Sequence, residues 1–146
     1  MTRIRRGRGW TLAEKGLDIE EVVVRTGLSP RTIRDYARLR LVVPSVVEDT
    51  RRLYSVDDVA RLHLLRRIRP IGFTLREMRE LLVTLQVIDN PVVTYQRPYL
   101  LERLEMFQEV ARFRTARLAE ELQQARQFTA AMDAEIARCR QDLEQR

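Results

Sequence analysis

From residue 99 onward the chain contains neither glycine nor proline and keeps a seven-residue repeat. Leu104, Ala111, Leu118, Ala125, Met132 and Cys139 recur at every seventh position. Leu100, Phe107 and Phe128 fall at the companion position, which Arg114, Glu121 and Glu135 interrupt. Leu101, Leu122, Ile136 and Leu143 lie one place later. A repeat held over about six heptads favours supercoiling with another helix. The pattern predicts one helix from Tyr99 toward Gln145, about 68 Å long at the usual rise per residue. The rest of so short a chain offers no body broad enough to cover that stripe. A second copy is the simplest cover, so residues 99–146 read as a coiled-coil dimerisation helix. Leu104, Phe107, Ala111, Leu118, Leu122, Ala125 and Met132 are the expected dimer contacts. A hairpin folded back within one chain is the alternative, but nothing after Pro98 marks a turn.

Charge separates that helix from what precedes it. Residues 1–89 carry 18 Lys and Arg against 12 Asp and Glu, whereas residues 90–146 carry nine of each. The whole formal charge of +6 therefore lies in the N-terminal part. A localised basic field suits a polyanion and is the electrostatic footprint of nucleic-acid binding. With 45% hydrophobic and 33% charged residues, the chain supports a small core and many exposed helical faces. No apolar run approaches the length of a membrane span. The basic N-terminus lacks the apolar stretch of a secretory signal. A single cysteine gives neither a disulfide framework nor a multi-cysteine metal motif. A cytoplasmic location is the expectation.

Residues 1–17 hold Arg3, Arg5, Arg6 and Arg8 with Gly7 and Gly9 and read as a basic arm, with Trp10 and Leu12 available to tack its end to the body. Such an arm suits phosphates or a minor groove. It equally suits a tail that only aids solubility.

The segment 18–88 reads as a compact DNA-binding domain. Ile19, Val22 and Val23 give one buried face of a short helix over residues 19–26. Gly27 stops it, and Leu28 plugs the gap beneath the turn. Ser29 caps a second helix from Pro30 to about Leu39, with Ile33 and Ala37 inward. Arg31, Thr32, Arg34, Asp35, Tyr36 and Arg38 are left for the other faces. A helix of this kind after a tight turn fits a major groove. Arginine there suits guanine or phosphate, and a tyrosine hydroxyl suits phosphate.

Val46-Val47 and Leu53-Tyr54 flank a polar stretch and read as a two-stranded wing, with Arg51 and Arg52 near its tip. Ser55 with Asp58, and Thr74 with Glu77, form capping boxes for two more helices, broken by Pro70 and Gly72. Val59, Leu62, Leu65 and Ile68 form the inner stripe of the first, and Met78, Leu81, Leu82 and Leu85 that of the second. His63 reads as a surface or packing residue. Residues 89–98 form a linker between prolines.

The stretches "IEEVVVRTGLSPRTIRDYARLRLVVP" and "RRLYSVDDVARLHLLRRIRPIGFTLREMRELL" resemble, in order and spacing, the DNA-binding domain of MerR-type transcription regulators. The resemblance covers about residues 19–87, and the long helix is similar to the family's antiparallel dimerisation coil. It implies a mainly α winged helix-turn-helix fold. It further implies that Arg31, Thr32, Arg34 and Tyr36 lie on the recognition helix, and that Arg52 and Tyr54 of the wing touch the backbone. Proteins of this kind bind pseudo-palindromic promoter DNA as homodimers. Many bend and untwist it so that RNA polymerase, a further partner, can use an over-long spacer. With Arg38 and Arg51 added from the residues themselves, these are the candidate DNA contacts.

The chain also departs from the family. Where the family has an aromatic followed by Tyr-Glu, this chain has Asp35, Tyr36 and Ala37, and Asp35 would repel phosphate. Thr50 stands about where the family has a wing-tip glycine, so a different turn is expected. The sensor cysteines of metal-responsive members have no counterpart, and no appended drug-binding domain is expected.

Two other functions fit the same parts. One is an architectural or excisionase-like DNA-bending protein. The other is a protein whose coil recruits a different chain. An enzyme is not expected, and no cofactor is called for. The only histidine is far in sequence from the only cysteine, and the chain has no Gly-rich phosphate loop and no HExxH motif.

Overall fold

A computed structural model of the chain describes residues 15–145. Most of the basic arm, with its four arginines, Trp10 and Leu12, lies outside the described residues. The elements run α1 (Ile19–Thr26), α2 (Pro30–Arg38), β1 (Val46–Glu48), β2 (Arg51–Leu53), α3 (Val56–Ile68), α4 (Leu75–Ile88) and α5 (Arg97–Glu144). Short 3₁₀ turns at Arg69–Ile71 and Pro91–Gln96 join α3 to α4 and α4 to α5. Among the described residues the fold is mainly helical with one two-stranded wing, as the sequence implies.

Local chemistry sets each boundary. Asp18 caps α1, accepting from the Glu21 amide at 2.9 Å while Glu21 reaches back to the Asp18 amide at 2.9 Å. Asp18 and Glu21 have the same three-residue spacing as the Ser55–Asp58 and Thr74–Glu77 boxes. Gly27 takes the left-handed conformation at φ 67° and ends α1. Ser29 caps α2, with Pro30 in its first turn, where a missing N–H costs nothing. Ser55 with Asp58 and Thr74 with Glu77 form the two expected boxes. The wing pairs Val46 with Leu53, Val47 with Arg52 and Glu48 with Arg51. Its two-residue turn uses Asp49 at φ 55°, since a short polar side chain tolerates the left-handed region where glycine is absent.

The core of the compact part is small. Ile33, Leu62, Leu65, Val22 and Val42 are essentially inaccessible. Each such aliphatic side chain contributes about 1.5–3 kcal/mol by burial. α1 packs on α2 and α3, and α3 packs on α4. Thr26 is also fully buried; its hydroxyl donates to the Val22 carbonyl at 2.8 Å and accepts from the Leu28 amide at 3.2 Å. Leu28 is buried beneath the turn, as expected.

Three placements differ from the sequence reading. Tyr36, assigned to the groove-facing side of α2, is buried three residues after Ile33, while Ala37 is only half-buried. The inner stripe of so short a helix falls at i and i+3 here, which swaps the two residues. Tyr54 of the wing is also buried. Phe107, assigned to the dimer seam, packs against Phe73 of the same chain at a ring-centroid distance of 6.3 Å.

The first turns of α5 thus belong to the compact part. Leu100 is buried, Arg103 pairs with Glu80 at 3.0 Å, and the Arg103 guanidinium lies 5.9 Å from the Phe107 ring centre. The compact unit ends at Phe107, and the rest of α5 forms a second unit. In that unit every described side chain is exposed except Ala111 and Arg114, which are partly shielded. Leu118, Leu122, Phe128, Met132, Ile136 and Leu143 are among the exposed ones. No helix among the described residues is long and apolar enough to cross a membrane.

Candidate nucleic-acid interface

The Gly27 turn sets α2 behind α1, and the capping serine fixes where α2 begins. Ser29 accepts from the Thr32 amide at 3.1 Å, and the two hydroxyls are 2.9 Å apart. Thr32 is thereby held half-exposed at the start of the helix. Arg31 and Arg34 are exposed. Arg38 is exposed too and pairs with Asp35 at 2.8 Å. That pair answers the charge of Asp35 locally, and a surface pair of this kind is weak enough to open for a phosphate.

Across the wing, Arg51 and Arg52 are exposed on successive residues of β2. Side chains alternate along a strand, so the two guanidiniums leave on opposite faces of the hairpin. Tyr54 follows them and closes the wing's base. Its amide and carbonyl pair with those of Leu17, both at 2.8 Å. Burial pushes the Tyr54 phenol above its ordinary pKa, and the Asp58 carboxylate adds to this, while Arg34 opposes them. The arginine of α2 and the tyrosine of the wing therefore share one electrostatic neighbourhood.

Asp58 holds the wing to α3. Its carboxylate is buried and accepts from the Ser45 hydroxyl at 2.6 Å, the Ser45 amide at 3.1 Å and the Ser55 amide at 2.9 Å. Arg61 lies 3.6 Å from its other oxygen. The capping box foretold the Ser55 contact, but nothing local in the sequence foretold Ser45, thirteen residues away.

Not all of the positive charge is available to a ligand. Arg66 donates to the Thr26 carbonyl at the end of α1, and Arg79 donates to the Leu39 carbonyl at the end of α2 at 2.8 Å. Cations at helix C-termini complete orphan carbonyls. Counting charges along the sequence did not separate these two from the outward arginines. Among the described residues, no cluster of three or more His, Cys, Asp or Glu side chains is placed to hold a metal ion.

Of the eight candidate DNA contacts, Arg31, Arg34, Arg38, Arg51 and Arg52 are exposed, Thr32 is half-exposed, and Tyr36 and Tyr54 are buried. Of the expected dimer residues, Leu118, Leu122, Ala125 and Met132 are exposed, Leu104 and Ala111 are half-exposed, and Phe107 is engaged by Phe73.

The family described as MerR HTH family regulatory protein matches residues 17–85. The chain is 43% identical over 67 residues to the HTH-type transcriptional regulator CueR of Yersinia pestis, covering 45% of this chain and 48% of that one. It is 40% identical over 76 residues to a probable heavy metal-dependent transcriptional regulator of Haemophilus influenzae, covering 51% and 57%. It is 42% identical over 65 residues to the mercuric resistance operon regulatory protein of Bacillus cereus, covering 44% and 49%. The chain thus spans about half the length of these relatives. Turn, wing and capping boxes all fall inside the matched stretch, and residues 17–85 of the chain are similar to the MerR HTH family.

Proposed function

We propose that the chain is a DNA-binding transcription regulator that acts as a homodimer on pseudo-palindromic promoter DNA. Residues 18–88 read the DNA and residues 99–146 supply the dimer coil. The observation that carries this reading is the set of exposed arginines on two successive elements: Arg31 and Arg34 on α2, and Arg51 and Arg52 on the wing. α2 enters the major groove, where Arg31, Thr32 and Arg34 reach base edges or phosphates. The wing rests on the backbone beside it. The exposed apolar stripe of α5 supports a second copy as its cover, and two heads on one coil would bind two half-sites. Bending or untwisting of the promoter for RNA polymerase belongs to the same reading.

The relatives' names describe regulators, and some name heavy metals or mercury. The metal part is not carried over, because the match lies before most of α5 and Cys139 is the chain's sole cysteine.

A genome-wide footprint followed by mobility shifts on the bound sites tests the proposal. Inverted repeats at promoters and a dimer-sized complex are expected. Arg34→Ala should weaken binding to the preferred site by about 1–3 kcal/mol if its guanidinium reads a base. Equal loss on every sequence would reduce Arg34 to a phosphate contact. A monomer with no sequence preference at moderate salt would sink the proposal.

A further inference from the structure

The exposed stripe of α5 has charged flanks. From Gln108 onward it is built of two rows that each repeat every seven residues, one through Ala111, Leu118 and Ala125, the other through Thr115, Leu122 and Ile136. One flank follows the first row by one place and holds Arg112, Ala119, Arg126, Asp133 and Arg140. The other precedes the second row by one place and holds Arg114, Glu121, Phe128, Glu135 and Asp142. All are exposed except Arg114, which is half-exposed. In a coiled coil such flanks meet across the interface and govern partner and orientation. Between antiparallel helices each flank faces its own counterpart.

Volume and charge select the same antiparallel register. When Ala111 faces Ile136, Thr115 faces Met132 and Leu122 faces Ala125, each layer joins a small side chain to a larger one, which suits close packing. That register sets Arg112 opposite Asp133 on one flank and Arg114 opposite Glu135 on the other, and two-fold symmetry repeats both pairs. The other facing residues there, Ala119 with Arg126 and Glu121 with Phe128, bring no like charges together. A slip of one heptad in one direction sets Arg112 against Arg126 and Glu121 against itself. A slip in the other sets Arg112 against Arg140, Arg126 against itself and Glu121 against Glu135, and only Arg114 with Asp142 attracts. A parallel, in-register pair also joins opposite charges, Glu121 with Arg126 and Glu135 with Arg140, but it stacks Ala111 on Ala111 and Thr115 on Thr115. Volume thus chooses the orientation and charge the register. Each exposed pair is weak alone. Discrimination comes from the contrast between attraction in one arrangement and repulsion in its neighbours. Within one chain Arg112 lies 2.9 Å from Glu109, and Glu135 pairs with Arg138. Both are exposed pairs within one turn, and a guanidinium or carboxylate has hydrogen-bonding sites left for a second partner.

We infer that Arg112, Arg114, Asp133 and Glu135 are the specificity-determining charges of the coil: they select a second copy of this chain and hold it in the one antiparallel register that sets Arg112 against Asp133 and Arg114 against Glu135. This rests on the homodimer reading above and adds the register to it. A slip of one heptad changes the separation of the two Gln108 residues along the coil by about 10 Å, or about three base pairs of DNA. The same four charges therefore set how far apart the DNA-reading parts of the two copies are tethered.

The test mixes two full-length variants, one with Arg112→Glu and Arg114→Glu, the other with Asp133→Arg and Glu135→Arg. Each sets like charges opposite one another in its own homodimer. Sedimentation at low salt should show dimerisation of each alone weakened about tenfold, from four contacts reversed together. Mixed in equal amounts, the two are complementary at all four contacts and should dimerise as tightly as the native chain. A variant that dimerises alone as tightly as the native chain overturns the pairing, and so does a mixture that stays as weak as its components. A native chain that is monomeric at every concentration removes the homodimer reading and the register with it. Should a double variant misfold, the Gln108→Cys chain reads the register by itself. Oxidation should link that position to Cys139 of the second copy, which a one-heptad slip would carry about 10 Å away, beyond disulfide reach. A dimer that stays unlinked overturns the register.

Discussion

The Asp58 carboxylate accepts the Ser45 hydroxyl at 2.6 Å, and this contact joins the wing's entry to the first turn of α3. The same carboxylate caps α3 through Ser55, so one buried group serves two elements. Removing it leaves the Ser45 and Ser55 donors unmet in a buried place. Asp58→Ala is expected to cost about 3 kcal/mol in urea unfolding, from charged hydrogen bonds at about 1.5–3 kcal/mol each and incomplete relaxation. A cost below about 0.5 kcal/mol, the level of an ordinary surface change, would show that the wing is held otherwise.

Tyr36 offers a direct check on the corrected face of α2. Its hydroxyl is enclosed without a hydrogen-bond partner. A buried hydroxyl left unpaired costs about 1–3 kcal/mol relative to a paired one. Tyr36→Phe should therefore leave stability unchanged or raise it by about 1 kcal/mol, and should leave DNA affinity unchanged. A marked loss of affinity in mobility shifts, with unfolding unaltered, would restore the phosphate contact that the resemblance implied.

How much was legible follows from where the information sits. Gly27, the Ser29-Pro30 start of α2 and the Ser55 and Thr74 caps are local signals, so these boundaries could be read along the chain. Tyr36 and Ala37 were exchanged because a nine-residue helix offers two nearly equivalent inner stripes, and only tertiary packing chooses between them. Phe107 fits a heptad equally well whether it meets a second copy or Phe73, and periodicity carries no name of the partner. The Asp58–Ser45 and Gly16–Glu48 contacts span distances that no local pattern encodes. Among the candidate DNA contacts, the exposed arginines were legible because charge on a short helix and a hairpin has few places to go. The buried tyrosines were not.

Tyr54 carries a pH prediction. Its phenol is held above the ordinary value of 10.0, first by burial and then by Asp58. The folded state therefore keeps this proton more tightly than the unfolded chain does. That contribution is whole below the unfolded value and is lost as pH rises through the higher folded one. Tyrosinate absorbance should show a late-titrating component that Tyr54→Phe diminishes. Unfolding measured between about pH 9 and 11 should fall less steeply in that variant. A late component of undiminished size would assign it to another tyrosine.

The size pattern along α5 argues for the orientation of the coil. Taken with the later companion position, the seam runs Leu101, Leu104, Gln108, Ala111, Thr115, Leu118, Leu122, Ala125, Thr129, Met132, Ile136, Cys139 and Leu143, with no charge in it. Small residues come in neighbouring pairs, Ala111 with Thr115 and Ala125 with Thr129. A parallel, in-register dimer would face each of these with itself and leave consecutive thin layers, which close packing disfavours. An antiparallel dimer can face them with Leu118, Leu122, Met132 and Ile136, giving layers of even volume. Oxidation of the native chain should then yield no Cys139–Cys139 disulfide, since the two thiols lie near opposite ends. Introducing Gln108→Cys should create a cross-link to Cys139 of the second copy. Leu118→Glu should shift sedimentation toward the monomer by placing an uncompensated charge in the seam. Ready Cys139–Cys139 cross-linking would reverse the orientation, and an intact Leu118→Glu dimer would remove the seam altogether.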